Sequence, residues 1–175
     1  SNIKTIDNDQ YNITKELYSL YLAKDQIVRN TIISYGDIIF KDYILNELLN
    51  DANDITIIVD ADGTINENNV DYVQTDIPYS NRIYSKPISF VKMFNKKEEG
   101  TINGEFIGLW KVSGAGFEKV HSSLEKLSQR SDFNNLTLVD LFNDIVKNSH
   151  ISVRYIKGSW LGIETIVDLQ KSGEF

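Results

Sequence analysis

Two short stretches hold residues whose types and spacing could do chemistry. In Ser34-Tyr35-Gly36-Asp37-Ile38-Ile39-Phe40 an apolar run passes into a glycine and then an aspartate. Open α/β proteins bind ligands outside the carboxyl ends of their strands. Gly36 lets the backbone approach a ligand closely. The Asp37 carboxylate beside it suits Mg2+, a hard ion that takes oxygen ligands. The same residues also describe a strand-end turn with a capping aspartate. In Gly158-Ser159-Trp160-Leu161-Gly162-Ile163-Glu164-Thr165 a strand gives way to a helix. Trp160 can wall a small-molecule pocket. Glu164 can be a second metal ligand, or a carboxylate favoured at a helix N-terminus.

Taken together the two stretches resemble a known group. Ile32 to Phe40 is similar to the strand and Gly-Asp metal site of the sugar-phosphate and phosphocholine nucleotidyltransferase superfamily. Tyr35-Gly36-Asp37-Ile38 with the following Phe40 most resembles the nucleotidyltransferase domains associated with phosphoenolpyruvate mutase in phosphonate biosynthesis. Gly104-Glu105-Phe106-Ile107-Gly108-Leu109 resembles the Gly-Glu-aromatic-Ile-Gly-Leu strand of that group, and Trp160 to Asp168 its closing segment. Tyr11-Asn12-Ile13-Thr14, followed by Leu17 to Leu20, matches the segment before the helix that precedes the metal strand.

The resemblance implies a role for each matched residue. Asp37 and Glu164 would hold the catalytic Mg2+, with Glu164 standing where the group usually has Asp. Tyr35 and Gly36 would border the substrate, Glu105 would contact the acceptor, and Trp160 would line its pocket. The reaction implied is transfer of a nucleotidyl group, cytidylyl from CTP, to a small phosphonate or phosphocholine-like acceptor with release of pyrophosphate. Such transfer depends on positioning and charge neutralisation. An aminoethyl or choline head is a cation, which aromatic faces and a carboxylate can hold. Trp110, Trp160, Tyr84 and Asp140 are the residues available for that, core or surface packing being their other reading. The resemblance leaves open a homo-oligomer or a fusion to a mutase domain.

One part of the group's pattern is missing. Its members begin with a strand and a glycine-rich loop whose backbone N–H groups cradle the triphosphate. Nothing before Asp37 supplies this, so the chain reads as the C-terminal portion of such a domain, and alone it is expected not to transfer nucleotides.

Two other readings compete. Ile57 to Ile65, with Asp60-Ala61-Asp62-Gly63-Thr64 at its centre, resembles the first motif of haloacid-dehalogenase-type phosphatases. Asp60 would then be the phosphoryl-accepting nucleophile and Asp62 its acid–base partner, against the simpler reading of a strand ending in an Asx-Gly turn. A non-catalytic ligand-binding or oligomerisation domain is the other alternative.

The elements that must position these residues follow from periodicity. Strands are expected at Ile3–Ile6, Thr31–Ser34, Ile55–Val59, Glu105–Val112 and Ile151–Ile156. Helices are expected at Thr14–Ile27, Lys41–Asn50, Phe117–Gln129, Leu138–Lys147 and Ile163–Lys171, the first capped by Asn12 or Thr14. Asp71 to Phe94 reads as a hairpin-like β insertion. The alternation predicts a single α/β domain over residues 1–175, a partial Rossmann-like nucleotidyltransferase sheet, largely parallel, with flanking helices.

Composition narrows the classes further. The 175 residues, 41% hydrophobic and 25% charged, suffice for a core. With 18 Lys and Arg against 25 Asp and Glu, the net charge of −7 argues against an extended nucleic-acid surface. The absence of cysteine excludes zinc–thiolate sites and cysteine nucleophiles. Apolar runs such as Ile55 to Val59 are too short to cross a bilayer, and no basic-then-apolar leader opens the chain. No membrane partner and a cytoplasmic location are therefore expected.

Overall fold

The computed structural model describes residues 3–62, 70–81, 87–95, 101–163 and 165–173. Its centre is a six-stranded sheet. The strands are β1 (Thr31–Ser34), β3 (Ile55–Asp60), β4 (Tyr72–Thr75), β5 (Phe90–Phe94), β6 (Gly104–Val112) and β7 (Ser152–Ile156), ordered β5-β4-β6-β3-β7 with β1 also on β6. A separate ribbon pairs β2 (Ile38–Phe40) with β8 (Trp160–Gly162).

Helices cover both faces. On one, α1 (Glu16–Leu22), α3 (Gly116–Ser128) and α4 (Leu138–Ile145) enclose a core containing Leu17, Val120, Leu124, Leu141, Phe142 and Trp110. On the other, α2 (Asp42–Asn50) brings Ile44 and Leu48 against Ile58, Ile107 and Leu109. The buried residues of α3 and α4 recur at three- and four-residue spacing, the stripe an amphipathic helix turns to a core. Every residue of β3 is buried, because it lies between two strands and two helical layers. The last helix is α5 (Ile166–Ser172).

Three expectations change. The sheet is mostly antiparallel, and β3 with β7 is its one parallel pair among the described residues. β1 and β3 do run in the same direction, as a strand–helix–strand unit requires. The nine-residue β6 is inserted between them and runs the other way, which helix–strand alternation along the chain cannot show. Residues 3–6 form no strand. The first helix is shorter than expected, and Lys15 stands at its N-cap with no side-chain cap bond. Thr14 instead turns its hydroxyl back to the Gln10 carbonyl at 2.8 Å.

β6 determines where the site lies. One edge carries β3 along its length; the other is shared end to end by β4, opposite Gly104 and Glu105, and β1, opposite Leu109 to Val112. The strands stop at the middle of β6. There the Tyr35 N–H donates to the Gly108 carbonyl and the Phe106 N–H to the Asp71 carbonyl, both at 2.9 Å. Gly108 has φ +82°, and a Cβ on it would lie 2.1 Å from the Tyr35 ring. Glycine thus lets the ring lie flat on the strand.

Candidate functional site

At this junction Tyr35, Gly36 and Asp37 line a cleft of about 770 Å³, with Lys15, Glu16, Asp71, Asn95 and Thr137. Asp37 is exposed at its edge, and the space above Gly36 is open. Three carboxylates against one lysine make the lining acidic. It suits a cation, or a phosphate whose charge a metal has offset.

Asp71 was not singled out from the sequence. It lies just before β4 inside a β-prone insertion, with no local motif to mark it. Its carboxylate receives the Tyr35 hydroxyl at 3.4 Å and the Asn95 amide at 3.3 Å. Burial pushes the Asp71 carboxyl up to about 6; the Glu16 charge adds to this, and the Tyr35 hydrogen bond opposes it. Burial, then the Asp71 charge, likewise raises the Tyr35 phenol above its ordinary range. Glu16 accepts the Leu138 N–H at 3.0 Å, tying the cleft wall to the start of α4.

A folded-state carboxyl raised in this way contributes stability that is present below the unfolded value near about 4. That contribution is lost as the pH rises through about 6. The thermal midpoint of the wild type is therefore expected to fall relative to Asp71→Asn between pH 4 and pH 7. Two curves that stay parallel across this range would show that Asp71 does not titrate in this way.

A second group lies around the end of β3. Asp60 pairs in register with Glu105 of β6 on one side and with Ile156 of β7 on the other. Its carboxylate accepts the Trp160 indole N–H at 2.8 Å, the Gly158 N–H at 3.1 Å and the Asp62 N–H at 3.0 Å. Asp62 instead pairs with Lys157 at 2.9 Å. This corrects the phosphatase reading of Asp60 and Asp62. The Asp60 residue is only 4% exposed and both its oxygens are engaged in holding neighbouring loops, so it presents no free nucleophile.

The two groups are joined by the β2–β8 ribbon. Phe40 pairs with Trp160, Ile39 with Leu161 and Ile38 with Gly162; the Ile163 N–H then donates to the Asp37 carbonyl at 2.7 Å. The stretches singled out from the sequence, whose paired residues are 120 to 124 positions apart, thus lie side by side. Trp160 is half-buried and Glu105 partly exposed, and neither lines the cleft that holds Asp37.

Other expected site residues are placed elsewhere. Trp110 is fully buried, with its ring edge-on to Phe142 at 5.0 Å, so it is core and offers no surface to an acceptor. Asp140 closes the capping box of α4, accepting the Thr137 N–H at 2.9 Å. That explains it as a helix cap and not as a partner for a cationic head. Tyr84 and Glu164 lie outside the described residues.

The donors present can be tested against Mg2+. Among the described residues no group of three or more His, Asp or Glu is placed to hold a metal. Asp37 supplies one exposed carboxylate. This fits Mg2+, which is usually held by one or two carboxylates, with waters and substrate phosphates completing its shell. Among the described residues no helix is long and apolar enough to cross a membrane.

No family model matches the sequence, and no curated protein matches it. Solved structures do match. The CTP:phosphocholine cytidylyltransferase of Streptococcus pneumoniae is 20% identical, with a TM-score of 0.64 over 95% of this chain and 66% of its own. The inositol-1-phosphate CTP transferase of T. maritima is 19% identical, with a TM-score of 0.70 over 97% of this chain and 63% of its own. The UDP-glucose pyrophosphorylase of Acinetobacter baumannii is 14% identical, with a TM-score of 0.63 over 89% of this chain and 54% of its own. The chain spans less than two-thirds of the length of each. Its mixed α/β architecture, a mostly antiparallel central sheet flanked by helices, is the fold of the nucleotidyltransferases.

Proposed function

We propose that this chain forms the metal and acceptor half of a nucleotidyltransferase. In this reading the complete enzyme, and not this chain alone, transfers a cytidylyl group from CTP to a small phosphonate or phosphocholine-like acceptor. The observation that carries the reading is the Ile163 N–H to Asp37 carbonyl bond, which sets the Gly-Asp turn beside the segment that continues into Glu164. Asp37 and Glu164 would hold Mg2+, which when bound supplies neutralisation of the phosphate charge.

The chain's own residues orient the acceptor and its attacking oxygen. Trp160 offers an aromatic wall, fixed by Asp60. The acidic cleft of Asp71 and Glu16, with the Tyr35 ring, suits the cationic head of an aminoethyl or choline group. The acceptor oxygen attacks the α-phosphorus and pyrophosphate leaves in line, so no protein nucleophile is required.

The triphosphate needs a further unit. Among the described residues β1 pairs only with β6. Ile32 and Ile33 each join a different face's core yet stay half-exposed, as in a strand with room for a neighbour on its outer edge. A nucleotide-holding strand and loop would be seated there.

Calorimetric titration of CDP-choline with and without Mg2+ tests the reading. Binding is expected to require Mg2+ and to weaken at least tenfold in Asp37→Ala. Absence of binding to the wild type would leave the non-catalytic alternative standing.

A further inference from the structure

We infer that Asp60 is a positioning residue, which fixes the Trp160 ring and through it the register of the ribbon ending at Asp37. The inference rests on the reading that Trp160 borders the acceptor site.

A carboxylate this buried is costly unless its oxygens are bonded. Here the three donors in contact with it are neutral N–H groups, one from the turn between β7 and β8 and one from Trp160, which opens β8. That turn is unusual. Gly158 and Ser159 follow one another at φ +58° and +62°, and a left-handed conformation is unfavourable for serine. Its surroundings must therefore hold it. Asp60 Oδ1 accepts the Gly158 N–H, Oδ2 accepts the Trp160 indole, and the Ser159 carbonyl accepts the Lys41 N–H at 3.0 Å.

These contacts form one line. Asp60 fixes Trp160, whose backbone is the first rung of the β2–β8 ladder opposite Phe40. The ladder then runs through Leu161 and Gly162 to the Ile163–Asp37 bond. At about 3.3 Å per residue this spans roughly 10 Å. A ladder of three residue pairs determines its register weakly by itself. The indole bond at one end supplies the missing constraint, because a slip of one residue would carry the ring to the opposite face.

The test uses Asp60→Asn. The asparagine carbonyl keeps an acceptor for Gly158 and Asp62, while its NH2 faces the Trp160 N–H donor. Acrylamide quenching reads Trp160 selectively, since Trp110 is fully buried. Quenching is expected to rise at least twofold in Asp60→Asn, with no ligand present. The dissociation constant for CDP-choline with Mg2+ is expected to rise about tenfold. Trp160→Phe is expected to raise it similarly, and the double variant no further, since the two residues act as one unit. A purely structural Asp60 would lower the melting temperature yet leave quenching and affinity unchanged, or give additive losses; either result overturns the inference. Hydrogen exchange of the wild-type Trp160 indole needs no variant at all. Slow exchange is expected from a half-buried ring bonded to Asp60, and exchange at the rate of a free indole overturns the inference even if Asp60→Asn does not fold. Wild-type protein that fails to bind CDP-choline would sink the proposed function, while the quenching and exchange measurements would still decide the role of Asp60.

Discussion

Replacing Asp51 by alanine is expected to destabilise the protein by about 2–4 kcal/mol, chiefly by stranding the hydrogen-bond donors that its carboxylate satisfies. The Asp51 side chain has no exposed surface. It sits at the C-terminal end of α2 and receives the Asn53 N–H at 2.8 Å, the Asn53 amide at 2.9 Å, the Thr56 hydroxyl at 2.8 Å and Arg154 Nε at 2.5 Å. Its own carbonyl accepts the Lys111 ammonium. The carboxylate thus ties the end of α2 to β3 and β7, and the main-chain carbonyl of the same residue ties it to β6. Alanine would leave the buried Thr56 hydroxyl and the half-buried Asn53 N–H without that acceptor, at about 1–3 kcal/mol for a fully buried group so stranded and less for the other.

Burial would raise the Asp51 carboxyl, but the bonds from Asn53, Thr56 and Arg154 outweigh it and hold the group below the usual aspartate range. A lowered carboxyl contributes stability that is present above its unfolded value and lost as the pH falls through the folded one. The gap between wild type and Asp51→Ala is therefore expected to narrow in acid below about pH 4. Arg154→Met should cost only about 1 kcal/mol, because 45% of that side chain is exposed and water screens the pair. Urea unfolding at pH 7 checks both variants. A loss under 1 kcal/mol for Asp51→Ala would show that water replaces the carboxylate at no great cost.

Gly108→Ala is expected to cost about 3 kcal/mol and to push Tyr35 out of its place in the cleft. Two effects add. At φ +82° an L-residue is strained by about 1–2 kcal/mol. The new methyl would also lie 2.1 Å from the Tyr35 ring, and such overpacking costs about 1–3 kcal/mol. The ring cannot yield freely. It meets Phe106 edge-on at 6.0 Å, and its hydroxyl is bonded to Asp71. For a chain of this size the melting temperature should fall by roughly 10 °C. Adding Tyr35→Ala should recover part of the loss, because the clash then has no partner. Additive losses in the double variant would place the strain in the backbone alone.

Several features were legible because they are local. The strand bodies at Thr31–Ser34 and Ile55–Val59, the apolar faces of α2, α3 and α4, and the turn after β1 follow from residue order and spacing. The helix cap at Asp140 carried a local signal that the substrate reading of Asp140 passed over: Thr137-Leu138-Val139-Asp140 has the spacing of a capping box. Trp110 and Trp160 are the same residue type in equally β-prone surroundings. Nothing local told the core ring from the half-buried one.

What escaped was what depends on distant partners. β2 and β8 have three residues each, too few for a period, and each exists because the other lies beside it. Asp60 was read through its neighbours in Asp60-Ala61-Asp62-Gly63. Its bonds to Gly158 and Trp160 give it a different task.

The sequence by itself determined that Asp37 would follow a strand, next to a glycine, since hydrophobic runs and glycine punctuation act over a few residues. Only the tertiary structure decided what stands beside Asp37. The direction of β6, the end-to-end meeting of β1 and β4, and the contact of Asp71 with Tyr35 are pairings between segments dozens of residues apart. Their energy lies in cross-strand hydrogen bonds and shared burial, which exist only once the chain has closed on itself.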